Sequence, residues 1–319
     1  MSKRIVVTGW LPEPALDILR QAGEVEVHQG QLAPEQVRDA VRGAHAVVSM
    51  VHIKVDQELL AAAGPQLEVV ANVGVGYDNI DVAAAAARGV TVTNTPGVLV
   101  DATADLTIGL MLMVTRRLGE GERLLRARRP WSFHLGFMLG TGLQHKTLGI
   151  VGMGRIGRAV CRRARAFGMK VVYNSRRPLP EQLEAELGVY HLPLDELLSS
   201  SDVVSLHCPL TEQTHHLIDQ RALELMKPSA FLVNTSRGAV VDEKALVKVL
   251  QERRIAGAAL DVFEREPQVE PELLEMDNVV VVPHLGSATT ETRTSMAELA
   301  ARNVAAVLSG DEPLTPVRA

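Results

Sequence analysis

The most constraining feature of the sequence is an alternation of short β-branched runs with helical segments, which occurs twice along the chain. The first series occupies residues 4 to about 93 and contains the runs RIVVT, VEVH, AVVSM, LEVVA and VTVTN. Several helical segments between them end at glycine, which is typical of a helix C-terminus. Because parallel strands need crossover helices, this series predicts an α/β domain with a parallel sheet.

The alternation breaks at residues 101–118, a mostly apolar stretch that predicts one long helix. A loop at residues 132–145 follows it, and a second alternation then runs from KTLGIVG to NVVVVP at residues 278–283. A last helix is predicted at residues 289–310. Two such series predict an α/β chain with two doubly wound parallel-sheet domains around a cleft.

Composition excludes several classes of function. The formal net charge of -5 argues against a nucleic-acid binder, and the arginine-rich residues 116–129 predict a solvated or interface-lining helix. The chain has no apolar run long enough to span a membrane, and its N-terminal apolar run is too short for a secretion signal. Cys161 and Cys208 lie in no CxxC pattern, so we expect a reduced, cytoplasmic protein with structural thiols.

A glycine-rich turn, GIVGMGRIG at residues 149–157, stands between an apolar strand and a helical segment. In this context Gly152 allows the tight turn, Gly154 lets the backbone approach a pyrophosphate, and Gly157 lets helix and strand pack closely. The free N–H groups at the start of the helix attract phosphate. The turn therefore predicts that the second domain is a Rossmann domain that binds a dinucleotide.

The strand after this turn lacks the acidic residue that usually binds the ribose 2′-hydroxyl of NAD, about 20 positions after the first glycine. The sequence there reads Asn174, Ser175, Arg176 and Arg177. The two neutral residues leave room for a 2′-phosphate, and the arginines offer charge and hydrogen-bond donors to it. We therefore expect NADP(H) to be preferred, with NAD(H) possible, although a solvated arginine pair is an open alternative.

Several motifs then resemble one family along essentially the whole chain. They are NVGVGYDNID, NTPGVLVDATAD, HKTLGIVGMGRIG, LHCPLTEQTHHLI, LVNTSRGAVVDEKAL, ALDVFEREP and PHLGSATTETR. Together they resemble the D-isomer-specific 2-hydroxy-acid dehydrogenases, and most of all the glyoxylate/hydroxypyruvate reductases. The resemblance implies a flavodoxin-like substrate-binding domain made of residues 1–100 and 288–319. The dinucleotide-binding Rossmann domain, residues 101–287, would be inserted between them.

The resemblance implies three catalytic residues for hydride transfer to a 2-keto acid. His284 follows an apolar run, where parallel sheets bind ligands, and it matches the family's acid/base. Glu266, directly before Pro267, matches its carboxylate partner, and such a partner favours the imidazolium. Arg237 matches the arginine that binds the substrate with a planar fork that lysine lacks. From position alone, other interpretations stay open: a capping or core histidine, an acidic surface loop and a surface arginine.

The resemblance also assigns ligand contacts. The amides of Val75 and Gly76 would bind the substrate carboxylate, which a glycine-rich loop after a strand also allows from its sequence. Val51, with His52 and Ile53, would shape the substrate pocket. Besides the glycine turn and residues 174–177, the implied cofactor contacts are Thr103, Arg155, Ile156, Cys208, Pro209, Thr235, Asp261, Gly286 and Ser287.

We predict no metal site, since the adjacent His215 and His216 lack ligand partners at helical or loop spacing and are expected at the surface. The resemblance implies a homodimer, because in relatives the loop that corresponds to residues 131–140 reaches across a dimer interface. This chain lacks the proline of the family's Trp-x-Pro pattern there. Whether its loop reaches the partner's active site is therefore open.

The leading hypothesis is NADPH-dependent reduction of a small 2-keto acid, glyoxylate or hydroxypyruvate. One alternative is an NAD-linked dehydrogenase of another D-2-hydroxy acid, such as D-lactate or 3-phosphoglycerate. A second is a dinucleotide-sensing transcriptional co-repressor without catalysis. Formate dehydrogenases carry a Gln–His pair, and Glu266 argues against that activity. The sequence leaves open which 2-keto acid is physiological and in which direction the reaction runs.

Overall fold

The computed structural model describes residues 2–30 and 32–318. Its strands are β1 Arg4–Val7, β2 Glu24–Val27, β3 Ala46–Met50, β4 Val69–Val73, β5 Thr91–Thr93, β6 Thr147–Val151, β7 Lys170–Asn174, β8 Val189–His191, β9 Val203–Leu206, β10 Phe231–Asn234, β11 Gly257–Leu260 and β12 Val279–Val281. Its helices are α1 Glu13–Ala22, α2 Pro34–Ala40, α3 Gln57–Ala63, α4 Val82–Ala87, α5 Val100–Thr115, α6 Leu118–Arg126, α7 Arg155–Ala166, α8 Glu181–Leu187, α9 Leu194–Ser200, α10 Gln220–Leu225, α11 Glu243–Gln251, α12 Pro271–Glu275 and α13 Thr290–Ser309.

The chain divides into two compact units. The first comprises Met1–Leu99 and Ala288–Ala319, and the second comprises Val100–Ser287. Each contains one wholly parallel sheet with apolar side chains buried on both of its faces. Such burial explains why the inner strands are continuous apolar runs, whereas the edge strand β2, with the sequence EVEV, alternates.

The first unit has the strand order β2-β1-β3-β4-β5. This is the order 2-1-3-4-5 of flavodoxin-like sheets. Successive side chains of a strand point to opposite faces, so Ile5 and Val7 enter one core while Val6 enters the other. Short helices begin at aspartates that accept an amide of the first turn, as Asp56 does from Leu59 at 3.1 Å. The local sequence therefore encodes both layers of this unit.

The second unit has the strand order β12-β11-β10-β9-β6-β7-β8. Numbered from β6, this is the doubly wound order 3-2-1-4-5-6 with one further strand. The order reverses between β6 and β9, and open α/β sheets bind ligands beyond the carboxyl ends of strands at such a reversal. The predicted fold class, two parallel-sheet α/β domains, is confirmed.

The predicted helix at residues 101–118 is wrong at its C-terminal end. The helix α5 stops at Thr115, whose carbonyl accepts the Thr141 amide at 2.7 Å. Arg117 then adopts a left-handed backbone with φ 55°, and α6 begins after it. The arginine-rich stretch forms this second helix and its flanks.

None of the helices within residues 2–30 and 32–318 combines the length and the apolarity that crossing a lipid bilayer requires.

Candidate active site

In the second unit, the predicted site residues follow the carboxyl ends of six parallel strands. Gly152 follows β6, Asn174 ends β7, Cys208 follows β9, Thr235 follows β10, Asp261 follows β11 and His284 follows β12. Since all these strands are parallel, their carboxyl ends form one edge of the sheet. Residues spread over more than a hundred positions of the chain are thereby brought to that edge.

The glycine turn has the shape that a pyrophosphate requires. Gly152 has φ +98°, and a Cβ there would lie 2.6 Å from the Cys208 amide nitrogen. A Cβ on Gly157 would lie 2.3 Å from the Gly152 oxygen, whereas one on Gly154 would meet open space. Gly154 is the N-cap of α7 and no side chain caps that helix, so its first amides are open to a phosphate. These residues fit a dinucleotide.

The loop after β7 is anchored at both ends. Met153 donates its amide to the Ser175 hydroxyl at 3.1 Å, and Asn174 donates its side-chain amide to the Leu192 carbonyl at 2.8 Å. Tyr173 accepts the Leu179 amide at 2.7 Å and donates to Glu184 at 2.5 Å. Burial, together with the hydrogen bond to Glu184, raises the pKa of Tyr173 to about 12. The Tyr173 hydroxyl therefore stays protonated, and its two hydrogen bonds hold the loop in place.

Arg176 and Arg177 are exposed at the tip of this loop. Within the described ranges, neither guanidinium forms a hydrogen bond or an ion pair. The bonds that fix the loop instead come from its backbone and its neutral side chains. Both guanidinium groups are thus available to an anionic ligand.

His284 and Glu266 form a direct pair. His284 Nδ1–H donates to Glu266 Oε2 at 2.8 Å, and the Phe263 amide donates to the other carboxylate oxygen at 3.0 Å. Burial alone would raise the pKa of Glu266, but the hydrogen bond and charge of His284 outweigh it, with help from Arg237, and hold that pKa below its ordinary value. The pair leaves His284 Nε2 without a partner among the described residues.

Asp261 holds the turn that carries His284. Its carbonyl accepts the His284 amide at 2.8 Å, and its carboxylate accepts the amides of Leu285 and Gly286, the latter at 2.8 Å. Asp261 is buried, and burial raises the pKa of its carboxyl although both amides oppose the shift. The sequence pattern assigned Asp261 to the cofactor and missed this role, since only the fold brings β11 and β12 together.

Arg237 follows β10 close to the loop that carries Glu266. Its backbone carbonyl accepts the Asn234 side chain at 2.9 Å, and a Cβ on the next residue, Gly238, would lie 1.9 Å from the Phe263 carbonyl carbon. Only glycine allows this approach. The charge of Arg237 therefore reaches Glu266, whose pKa it helps to lower.

A buried glutamate supports the same loop and escaped the sequence analysis. Glu243 is 6% exposed and accepts the amides of Glu264 at 2.9 Å and Glu270 at 3.3 Å. Its sequence context, an acid in the first turn of α11, is that of an ordinary helix start. No sequence signal distinguishes it from the many acids in such positions.

Two threonines assigned to the cofactor lie in a buried cluster. Thr107 bonds to the Thr235 hydroxyl at 2.9 Å and donates to the Thr103 carbonyl at 2.8 Å. A Cβ on Gly286 would lie 3.6 Å from the Thr103 hydroxyl and 3.1 Å from Asp261 Oδ2. The structure thus brings Thr103, Asp261 and Gly286 together. Cys208 is buried like Cys161, and burial raises the pKa of each thiol to about 11.

In the first unit, Val75 and Gly76 lie in the loop directly after β4. Their amides donate to no acceptor in the part of the chain that the structure describes. A Cβ on Gly74 would lie 2.3 Å from Val51 Cγ1, so Val51 packs against the start of this loop. Burial lowers the pKa of the neighbouring His52, which favours its neutral form. The loop is thus a small surface with two available N–H donors.

His215 and His216 have no ligand partner at helical or loop spacing, but the fold brings Glu264 to them from a distant position. Their rings stack with centroids 4.0 Å apart, and His216 Nε2–H donates to Glu264 at 3.1 Å. The potential ligand atoms of the three residues all lie within 4.8 Å of one another. The loop that carries Glu264, 48 positions after His216, folds back onto the two histidines. The spacing of the residues in the sequence does not predict this contact.

A family model, curated relatives and solved structures were compared with the chain, and they agree on one family. The model for the D-isomer specific 2-hydroxyacid dehydrogenase, NAD binding domain, matches residues 108–286. A glyoxylate reductase of Thermococcus litoralis is 48% identical over 98% of this chain and 96% of its own length. A crystal structure of a protein from Thermus thermophilus is 47% identical, with a TM-score of 0.92, covering 99% of this chain and 100% of that one.

A third relative is an NADPH-dependent glyoxylate/hydroxypyruvate reductase from Sinorhizobium meliloti, solved in complex with NADP and malonate. It is 38% identical, with a TM-score of 0.88, covering 99% of this chain and 97% of that one. The chain belongs to the D-isomer specific 2-hydroxyacid dehydrogenases. It is an NAD(P)-dependent oxidoreductase that acts on a CH–OH group. The predicted family and enzyme class are confirmed.

Proposed function

We propose that the protein reduces glyoxylate or hydroxypyruvate to the 2-hydroxy acid with NADPH. The observation that carries the proposal is the His284–Glu266 pair at a strand end, with the charge of Arg237 reaching Glu266. Relatives named glyoxylate reductase, and one named as NADPH-dependent, support the choice of substrate and cofactor.

His284 supplies the proton in this proposal. When bound, the nicotinamide cofactor would supply the hydride for the carbonyl carbon of the keto acid. Glu266 holds the Nδ1–H side of the ring and leaves Nε2 to protonate the oxygen that becomes the hydroxyl. Because the hydrogen bond and charge of His284 lower the pKa of Glu266, the carboxylate stays ionised beside the ring. It can therefore hold the ring by its Nδ1–H throughout the reaction.

The carboxylate of the keto acid needs donors of its own. We assign the amides of Val75 and Gly76 to it, since both lack an acceptor among the described residues. Arg237 is assigned to the keto acid as well, because its guanidinium binds oxygen atoms with fixed geometry. Val51, packed against Gly74, limits the size of the side chain that this loop accepts.

For the cofactor, we assign Arg176 and Arg177 to the ribose 2′-phosphate. They are exposed on an anchored loop that carries no carboxylate, and two guanidinium groups favour an additional phosphate over a hydroxyl. This assignment makes NADPH the preferred cofactor and leaves NADH as the weaker one.

We also propose that the protein is a cytoplasmic homodimer. Large apolar side chains are exposed on one short segment, with Phe133 83% and Leu135 91% exposed, and Trp131 and Leu139 also exposed. Exposed apolar surface of this kind favours a protein partner. A second copy of the chain is the partner that the family resemblance implies. Two buried thiols without a disulfide are in keeping with a reducing compartment.

The test is the initial rate of NADPH oxidation with glyoxylate or hydroxypyruvate, measured beside NADH and beside pyruvate. We expect the highest kcat/KM for NADPH with one of the two small keto acids. Faster turnover with NADH would refute the cofactor assignment. A preference for pyruvate, or no reduction of any 2-keto acid, would refute the substrate.

A further inference from the structure

Side-chain amides of the first unit fix the orientation of the loop after β4. The carbonyl oxygens of three consecutive residues, 74–76, each accept a hydrogen bond from within the unit. Their donors, in chain order of the acceptors, are the Thr95 backbone amide at 2.9 Å, Asn94 Nδ2 at 2.8 Å and Asn72 Nδ2 at 2.7 Å. Asn72 is fully buried. Each peptide plane of the loop is therefore held from one side.

Holding a carbonyl also directs an amide. A trans peptide is planar, so the C=O of one residue points away from the N–H of the next. The Thr95 amide, by binding the Gly74 carbonyl, orients the Val75 N–H. In the same way Asn94, by binding the Val75 carbonyl, orients the Gly76 N–H. Asn94 is thus the side chain that directs one of the two amides without an acceptor.

The C-terminal segment in turn holds Asn94. The Asn94 amide donates to the Thr315 carbonyl at 3.3 Å, and the Thr315 hydroxyl donates to the Asn94 carbonyl at 2.6 Å. Asn303, fully buried in α13, donates to that hydroxyl at 2.8 Å and accepts the Thr315 amide at 3.0 Å. Val317 donates to the Val92 carbonyl at 2.8 Å, so this segment lies along β5.

We propose that Asn94 is a positioning residue for the carboxylate of the keto acid. Thr315 and Asn303 extend this positioning to the C-terminal segment. The inference rests on the proposed function, since it takes the amides of Val75 and Gly76 as the groups that bind the carboxylate. A hydrogen bond weakens steeply when the N–H turns away from its acceptor, so a peptide that rotates loses affinity although no ligand atom is removed.

The test compares three variants. Asn94→Ala removes the donor to the loop, and Thr315→Val removes only the hydroxyl that binds Asn94. Gln66→Ala is the matched control, because Gln66 is a side-chain amide of the same unit that donates to a different carbonyl, that of Ala44 at 3.2 Å. Steady-state rates with glyoxylate and NADPH are measured for each, with oxamate as a carboxylate inhibitor that is not reduced.

We expect KM for glyoxylate to rise about 10-fold in Asn94→Ala and about 3-fold in Thr315→Val, with kcat nearly unchanged. The reason is that a carboxylate contact stabilises the bound substrate and the transition state equally. The inhibition constant of oxamate should rise by the same factors, whereas KM for NADPH and all constants of Gln66→Ala should stay at the parental values.

An unchanged KM for glyoxylate in Asn94→Ala, a loss confined to kcat, or an equal rise in Gln66→Ala overturns the inference. If Asn94→Ala does not fold, Thr315→Val decides alone, and a parental KM there overturns it. A parent enzyme that reduces no 2-keto acid would instead defeat the proposed function. In that case, calorimetric titration with oxamate tests the role of Asn94. We expect weaker oxamate binding in Asn94→Ala and Thr315→Val than in the parent. Equal affinity of the parent and the variants, or no binding to any of them, contradicts the role.

Discussion

Two histidine–carboxylate pairs share one loop of the second unit, residues 263–266. Glu266 binds His284 at 2.8 Å, and Glu264 binds His216 at 3.1 Å. Side-chain exposure is alike, 36% and 35% in the first pair and 33% and 27% in the second. Both histidines have a left-handed backbone, with φ 52° and 50°. The pairing of an imidazole with a carboxylate is therefore no sign of catalysis in itself.

The surroundings separate the two pairs. His284 follows a strand end, and Asp261 fixes the backbone on both sides of it. Arg237 brings a positive charge to Glu266. His216 instead belongs to the segment between β9 and α10, and the ring of His215 stacks on it. Residues with a left-handed backbone occur often at functional sites. Of the two histidines, only His284 combines this backbone with the support of Asp261 and with the charge of Arg237 near its carboxylate partner.

Replacing each histidine by asparagine tests this contrast most strongly. Asparagine tolerates a left-handed backbone, but its amide neither gives nor takes up a proton near neutral pH. We expect His284→Asn to lower kcat for glyoxylate reduction by about 10²–10⁴-fold, the usual loss for a general acid, with little change in cofactor affinity. His216→Asn is the matched control and should keep parental kcat. A folded His284→Asn variant with near-parental turnover would remove His284 as the proton donor.

The cofactor loop offers a change that leaves both pairs intact. In Arg176→Ala with Arg177→Ala, we expect kcat/KM for NADPH to fall about 10- to 100-fold for each charge-assisted hydrogen bond that the substitutions remove. The value for NADH should change little, because no phosphate meets these side chains in NADH. Kinetics with both cofactors measure the ratio, and Arg162→Ala, an exposed arginine of α7, serves as the control. An equal loss with both cofactors would show that the arginines do not bind the 2′-phosphate.

Arg237 tests whether the charge near Glu266 is enough. Arg237→Lys keeps the charge but loses the planar fork, so we expect kcat/KM for glyoxylate to fall about 10-fold. Gly238, the next residue, packs directly on the Phe263 backbone, so a change at position 237 could also disturb the fold. The melting temperature of the variant is therefore measured as well, and the rates are compared only if it equals the parental value. A parental kcat/KM in the lysine variant would mean that the fork makes no contact with the substrate.

The sequence was sufficient where the interaction is local or the motif is dense. The β-branched runs form parallel strands, and the family pattern pairs Glu266 with His284, which the structure brings into contact. The sequence was insufficient where a tertiary contact determines the end of a helix or the partner of a side chain. The bond from Thr141 ends α5, and Glu264 reaches His216 across 48 positions. Asn94 acts through a carbonyl, and no pattern marks a residue that only orients a peptide.

The most direct test of the account is the pH dependence of glyoxylate reduction in Glu266→Gln beside Glu264→Gln. The hydrogen bond and charge of His284 hold the pKa of Glu266 below its ordinary value, so this carboxylate is ionised near neutral pH and gains a proton only as the pH falls. The parental rate of reduction should therefore fall at acid pH, where Glu266 loses its charge. Glu266→Gln has no carboxylate to titrate, so its profile should lack this acidic limb and its kcat should be lower at every pH. Glu264→Gln should keep the parental profile. An unchanged profile in Glu266→Gln, or the same change in both variants, would contradict the claim that the His284–Glu266 pair supplies the proton.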